Sequence, residues 1–227
     1  MKPRLLDLFC GAGGAAVGYS RAGFEVVGVD HVNQPHYPFE FIKCDALAYL
    51  REILRDEQRY GFDAIHASPP CQAHTPLKSL HKDIEYPKLI APTRELLEAT
   101  GLPYVIENVP GAPLIHPFKL CGSSFGLDVR RHRLFETNWP IGLLPPCAHH
   151  LHTPRFQNTG TRRRAVLSSV VGVYGGSHFK GDNIAYRSAA MGIDWMTLPE
   201  LSQAIPPDFT QLIGAQLLQH IQSERAA

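Results

Sequence analysis

No apolar run in this chain approaches the roughly 18 residues that a membrane-spanning helix requires, so no membrane partner is expected. The N-terminal stretch MKPRLLDLFCGAGG has neither the apolar core nor the small-residue cleavage site of a signal peptide. A cytoplasmic location is the expectation. There is no CxxC pair. The five cysteines, Cys10, Cys44, Cys71, Cys121 and Cys147, are odd in number and scattered, which argues against a disulfide framework and for a reducing compartment. Internal repeats are absent. Charged residues make up only 19% against 44% hydrophobic, the balance of an ordinary soluble globular protein, and 227 residues suit one domain with at most a small appendage.

The low net charge of +1 is unevenly spread. Residues 117–165 hold eight Lys/Arg against two Asp/Glu, whereas the segments on either side are net acidic. A basic middle in a neutral chain suits docking on a polyanion; a solvated basic loop region is the plain alternative.

Over the first 140 residues, short apolar runs alternate with stretches of helical period. RLLDLF (4–9), FEVVGVD (24–30), FEFIKCD (39–45), FDAIHAS (62–68), PYVIENV (103–109) and RHRLFETN (131–138) read as strands. Helices are expected after the glycine-rich turn through about Arg21, over 46–58 and around TRELLEAT. That alternation predicts an α/β fold, a doubly wound, mostly parallel sheet of Rossmann-like type with both faces covered. Ligands of such sheets sit outside the carboxyl ends of the strands. Those ends carry GAGG, Asp30, Asp45, Pro69-Pro70-Cys71 and Glu107-Asn108. The expected organisation is a core over 1–138, a small loop-rich insertion over 139–190, and a C-terminal segment, 191–227, that returns to the core.

DLFCGAGG (7–14) follows a strand and opens a helix, so its backbone can approach a ligand closely. Its spacing is not GxGxxG, and a tight strand–helix turn explains it equally well. Asp30 can hold the hydroxyls of a ribose, and Asp45 can accept from an exocyclic amine, although each aspartate by itself also suits an N-cap or a turn. Glu107 at a strand end is expected to be desolvated and its pKa raised. Arg131 and Arg133, two apart, are expected on one face of a strand. In CAHHLH, Cys147, His149, His150 and His152 are ligating types, but the spacing fits no common zinc pattern and no second ligand pair is evident, so no metal is expected. TRRR (161–164) suits either phosphate contacts or an exposed loop.

Taken in order, DLFCGAGG, GVD, PPCQ, ENV and RHR resemble the DNA (cytosine-5) methyltransferases, in a compact, phage-like form. AIPPDFTQLIGAQLL is similar to the last motif of that family, with Gln203 where asparagine is usual, and after Gln72 the family's Phe-Ser is replaced by His74-Thr75. The resemblance implies S-adenosylmethionine as cofactor and DNA as partner. It makes Cys71 the nucleophile, which two prolines would aim and nearby arginines would activate by lowering its pKa. Glu107 would act on the target base, Asn108 would support it, and Arg131 and Arg133 would hold the base carbonyl and the loop around Cys71. For the cofactor, the resemblance implies Phe9, Cys10, Gly11, Ala12, Gly13, Gly14, Asp30, His31, Asp45, Ala46 and Pro69. The short insertion implies a short recognition sequence or a specificity partner, on a monomeric enzyme. RNA as the acceptor, or a non-catalytic DNA-binding role, are the rival readings.

Overall fold

The computed structural model describes residues 2–56, 60–71, 87–152, 154–159, 162–168, 170–173 and 184–226, and of 154–159 and 162–168 the backbone alone. Gln72, His74, Thr75 and most of VYGGSHFKGDN lie outside the described residues, and so do the side chains of TRRR.

Five parallel strands form the body of the sheet. They are β1 (Arg4–Leu8), β2 (Glu25–Asp30), β3 (Glu40–Lys43), β4 (Ala64–Ala67) and β5 (Tyr104–Asn108). Two short strands complete it, β6 (Phe118–Leu120) and β7 (Arg133–Thr137). The order is β3-β2-β1-β4-β5-β7-β6, with β7 antiparallel to both neighbours. From β1 the chain moves outward through β2 and β3, then crosses back to β4 on the other side, so the winding reverses between β1 and β4. At such a switch point the strand ends open a crevice.

Side-chain alternation divides the core in two. Leu6, Leu8, Val27, Val29, Ile65 and Ile106 face α2 (Ala46–Arg55) and α3 (Ile90–Ala99). Helix α2 contributes Ala46, Tyr49, Leu50 and Ile53, the one-sided spacing of an amphipathic helix, and Leu97 comes from α3. Leu5, Val26, Ala64 and Val105 face the other way, onto α1 (Gly14–Ala22) and the last helix, to which α4 (Ile184–Met191) and α5 (Leu198–Gln203) lead. That last helix, α6 (Pro207–Ala226), places Phe209, Ile213, Leu217 and Ile221 in the same cluster, with Trp139 beside them.

The insertion is more regular than its composition suggests. It holds a two-stranded antiparallel hairpin, β8 (Pro154–Thr159) and β9 (Arg162–Ser168), and α4 begins at its end. Both strands are polar, PRFQNT and RRRAVLS, so the apolar signal that revealed the other strands is missing.

Helices α1 and α6 approach closely because α1 has no side chain at Gly18. A Cβ there would run into Thr210 Oγ1 and the Pro207 carbonyl. Thr210 Oγ1 also donates to the Ala15 carbonyl at 2.8 Å, so the helices are bonded as well as packed. Gly18→Ala is therefore expected to destabilise the protein by about 1–3 kcal/mol despite its better helix propensity. Urea unfolding monitored by circular dichroism measures this; an unchanged or raised midpoint would show that the two helices do not pack as described.

Candidate active site

The strand ends open into a cleft of about 450 Å³. Its walls come from the DLFCGAGG turn, the end of β2, the Ser68–Cys71 segment after β4, Glu107, Arg133 and the 196–205 stretch.

On the first side the chain leaves β1 through two left-handed residues, Phe9 (φ 56°) and Gly11 (φ 49°). A positive φ is strained for phenylalanine. A Cβ at Gly11 would meet nothing within 4 Å, so glycine serves the backbone conformation and leaves the turn open. Asp30 holds this turn, since its Oδ2 accepts from Gly11 N–H at 3.1 Å and its Oδ1 from Val32 N–H at 3.0 Å. Each carboxylate oxygen has a second lone pair, so Asp30 can still accept from a hydroxyl in the cleft. His31 Nδ1 lies 3.2 Å from Asp30 Oδ1. Beneath the turn Asp7 is 1% exposed, and its Oδ1 has no hydrogen-bond partner among the described residues. Burial pushes the Asp7 carboxyl up to about 8, although the Tyr37 hydroxyl opposes the shift.

On the second side, Glu107 and Arg133 form a largely buried ion pair, Nε to Oε1 at 2.9 Å. The antiparallel pairing of β7 with β5 brings the start of one strand to the end of the other. Burial raises the Glu107 pKa; Arg133, a hydrogen bond from Ser68 and Arg131 oppose the rise. Behind Ser68 runs a buried chain. Tyr19 Oη lies 3.0 Å from His66 Nδ1, and His66 Nε2 lies 2.9 Å from Ser68 Oγ. Burial pushes His66 down to about 3, so it is neutral. With one proton on its ring, every link can be satisfied when Tyr19 donates to His66, His66 to Ser68, and Ser68 to Glu107. Asn108 Nδ2 donates to the Pro69 carbonyl at 2.8 Å, which fastens the proline segment to β5.

Cys71 follows that segment and lines the cleft. Its thiol departs from the sequence expectation. Burial and then the charge on Glu107 raise its pKa, and these outweigh Arg133 and Arg131, which lower it. The reason is geometric: the thiol is held away from water, and the nearest guanidinium is already engaged by a carboxylate.

Of the residues expected at the site, Phe9, Cys10, Gly11, Ala12, Gly14, Asp30, His31, Pro69, Cys71, Glu107 and Arg133 line the cleft. Others stand elsewhere. Asp45 is the N-cap of α2, its Oδ1 accepting from Ala48 N–H at 2.8 Å, and Ala46 is buried at the start of that helix. Gly13 packs against Tyr37 and Pro38, where a Cβ would collide. Arg131 precedes β7 and does not share a strand face with Arg133. Its guanidinium donates to the carbonyls of Val173 (2.9 Å) and Ser202 (2.7 Å), which ties the insertion to the C-terminal segment. Sequence reasoning passed over Asp7, Ser68 and the wall formed by Met196, Pro199 and Glu200. A charged residue inside the apolar run RLLDL was the available signal for Asp7; of the 196–205 wall, Gln203, Ala204 and Ile205 belong to the motif-like segment expected to return to the core, while Met196, Pro199 and Glu200 had no local signal.

These pKa directions generate a test. Alkylation of Cys71 by iodoacetamide, followed on its tryptic peptide, should rise with pH through a midpoint above the ordinary 9.0. Glu107→Gln should move the midpoint down. A midpoint near neutrality in the unaltered protein would contradict this electrostatic picture.

No family model matches the chain. An 84-residue stretch is 36% identical to the Type II methyltransferase M.FnuDI of Fusobacterium nucleatum, covering 34% of this chain and 23% of that protein. A stretch of 122 residues is 28% identical to M.XorII of Xanthomonas oryzae pv. oryzae, covering 48% and 29%. The matched stretches thus span about a quarter of the length of these curated relatives. In fold, the chain is similar to a protein described as a DNA modification methyltransferase encoded within an E. coli prophage (TM-score 0.61, 15% identity, 97% of this chain and 99% of that one). It is also similar to the Dnmt2 methyltransferase of S. pombe (TM-score 0.59, 12% identity, 97% and 99%). Sequence matches and fold agree on a likeness to methyltransferases: over part of its length the chain is similar in sequence to Type II methyltransferases, and over nearly all of it similar in fold to methyltransferase structures.

Proposed function

We propose that the protein methylates carbon 5 of cytosine in DNA, using S-adenosylmethionine. The observation that carries this reading is the convergence on one cleft of a thiol, Cys71, and a buried carboxyl with raised pKa, Glu107 paired to Arg133.

The cofactor fits the first side of the cleft. Asp30 has acceptor capacity for ribose hydroxyls, and the Gly11 turn leaves room for a ligand. Asp7, which lines the cleft with a buried oxygen that has no partner among the described residues, offers that side an unused acceptor for the ammonium of the cofactor. When bound there, S-adenosylmethionine supplies an electrophilic methyl group to carbon 5.

The second side prepares the base. The Cys71 thiol gives up its proton to water in the cleft, its sulfur bonds to carbon 6 of the cytosine, and the carbon 5–carbon 6 π pair becomes available at carbon 5. Glu107, protonated, gives its proton to ring nitrogen 3 and so neutralises the charge that develops on the ring. A Glu107 that is neutral before the attack favours the thiolate, because an ionised Glu107 raises the Cys71 pKa. A neutral Glu107 and an ionised Cys71 therefore favour each other. Once carbon 5 is methylated, its proton passes to water, departure of Cys71 as thiolate restores the double bond, and nitrogen 3 returns its proton to Glu107. Asn108 keeps the Pro69–Cys71 segment in place throughout. Arg133 orients Glu107. In duplex DNA the target must leave the stack to reach the sulfur, at a cost of a few kcal/mol.

Tritium-labelled S-adenosylmethionine incubated with unmethylated duplex DNA, and in parallel with tRNA, tests the reading. Label at carbon 5 of cytosine in DNA, lost in Cys71→Ala while cofactor binding persists, is the expected result. Transfer to tRNA alone would replace DNA by RNA as the substrate, and transfer by Cys71→Ala would remove the assigned nucleophile.

A further inference from the structure

Around the connection from β6 to β7 and the start of the insertion, outside the residues that line the cleft, four potential ligands meet. Cys121, His132, Cys147 and His149 bring one ligating atom each to within 4.8 Å of all the others. We propose that these residues bind a structural zinc(II) ion. The site is independent of the reaction proposed above.

Three of the spacings lie within about 0.2 Å of those expected around a small tetrahedral cation. Zinc–nitrogen bonds of about 2.0–2.1 Å and zinc–sulfur bonds of about 2.3 Å imply ligand atoms about 3.3–3.8 Å apart. His132 Nε2 and His149 Nε2 are separated by 3.1 Å, Cys121 Sγ and His149 Nε2 by 3.2 Å, and Cys147 Sγ and His132 Nε2 by 3.7 Å. Hydrogen bonding alone serves this arrangement poorly. His149 Nε2 faces both Cys121 Sγ and His132 Nε2, and a neutral ring nitrogen offers one hydrogen or one lone pair, so it can satisfy only one of them. The Cys121 thiol already has an acceptor, the Arg130 carbonyl at 2.9 Å. A dication takes the lone pairs of all four groups, releases the thiol protons, and is neutralised by two thiolates.

The surroundings support the ligands. Cys121 is buried, and Ser123 Oγ lies 3.1 Å from its sulfur while accepting from Ala148 N–H at 3.0 Å. The Ser123 hydroxyl hydrogen therefore remains for a Cys121 thiolate. Two ligands come from the ends of the β6–β7 hairpin and two from the segment that enters the insertion, so the ion would staple one to the other. It would also hold the backbone between Arg131 and Arg133, whose side chains reach the C-terminal segment and the cleft. With four protein ligands no position is left for a substrate, which makes the role structural. The pattern escaped sequence reading because Cys121 and His132 stand far from the Cys147–His149 pair that drew attention.

Elemental analysis of the purified full chain after growth with zinc should find about one equivalent, as a four-ligand site binds tightly enough to survive purification. Replacement by cobalt(II) should give the intense visible bands of a tetrahedral ion and a thiolate-to-cobalt charge-transfer band. Both should persist in Cys71→Ala, whose thiol lies elsewhere, and disappear in Cys147→Ala with His149→Ala. Little metal together with an octahedral cobalt spectrum lacking charge transfer would overturn the proposal in the unaltered protein, whatever the variants do. So would bands that survive the double substitution.

Discussion

A carboxyl group buried at the end of an apolar strand is the constraint on which the site depends. Glu107 is 6% exposed, and burial alone drives it toward the neutral form. Arg133 and Ser68 pull in the opposite direction, and the balance keeps the group able to hold or release a proton. Each partner exists because of a topological feature. Arg133 arrives because β7 runs against its neighbours, and Ser68 arrives because β4 lies beside β5 in parallel. The Tyr19–His66–Ser68 chain extends the same balance into the core, where a neutral histidine carries the hydrogen-bond direction toward the carboxyl.

The two sides of the cleft are held by different means. Backbone amides gathered on Asp30 shape the turn after β1, and Trp195 Nε1 donates to the Ala12 carbonyl at 2.9 Å, which closes the C-terminal segment over it. That segment is anchored in turn by α6 against α1, where the small surface of Gly18 permits backbone contact. Glu200 accepts from Thr197 and meets His36, so the loop after β2 is tied to the same wall. The cleft is thus assembled from parts nearly two hundred residues apart.

Much of this was legible in the amino-acid order. Strands β1 to β5 announce themselves as apolar runs, ended from β2 onward by aspartate, proline or asparagine, and each lies within two residues of its expected bounds. What escaped notice lacked a local signal. Strand β6 has only three residues, FKL, and the insertion hairpin is polar on both strands. Alternation placed Arg131 with Arg133, yet the strand starts only at Arg133, so Arg131 was free to turn toward Val173 and Ser202. Arg133 and Arg131 do lower the Cys71 pKa as expected, but the burial of the thiol and the Glu107 charge beside it, which outweigh them, could not be seen in the order of residues. Asp45 shows the reverse case, where the ordinary role of a helix cap is the one observed.

The central claim is that Cys71 forms a covalent bond to carbon 6 of a cytosine. DNA containing 5-fluorocytosine tests it most directly, because fluorine at carbon 5 cannot leave as a cation and elimination of the thiolate is blocked. Incubation with S-adenosylmethionine should yield a denaturation-resistant protein–DNA adduct, with the modified base on the peptide that carries Cys71. An adduct on another residue, or methylation of ordinary cytosine with no adduct on the fluorinated base, would contradict the account.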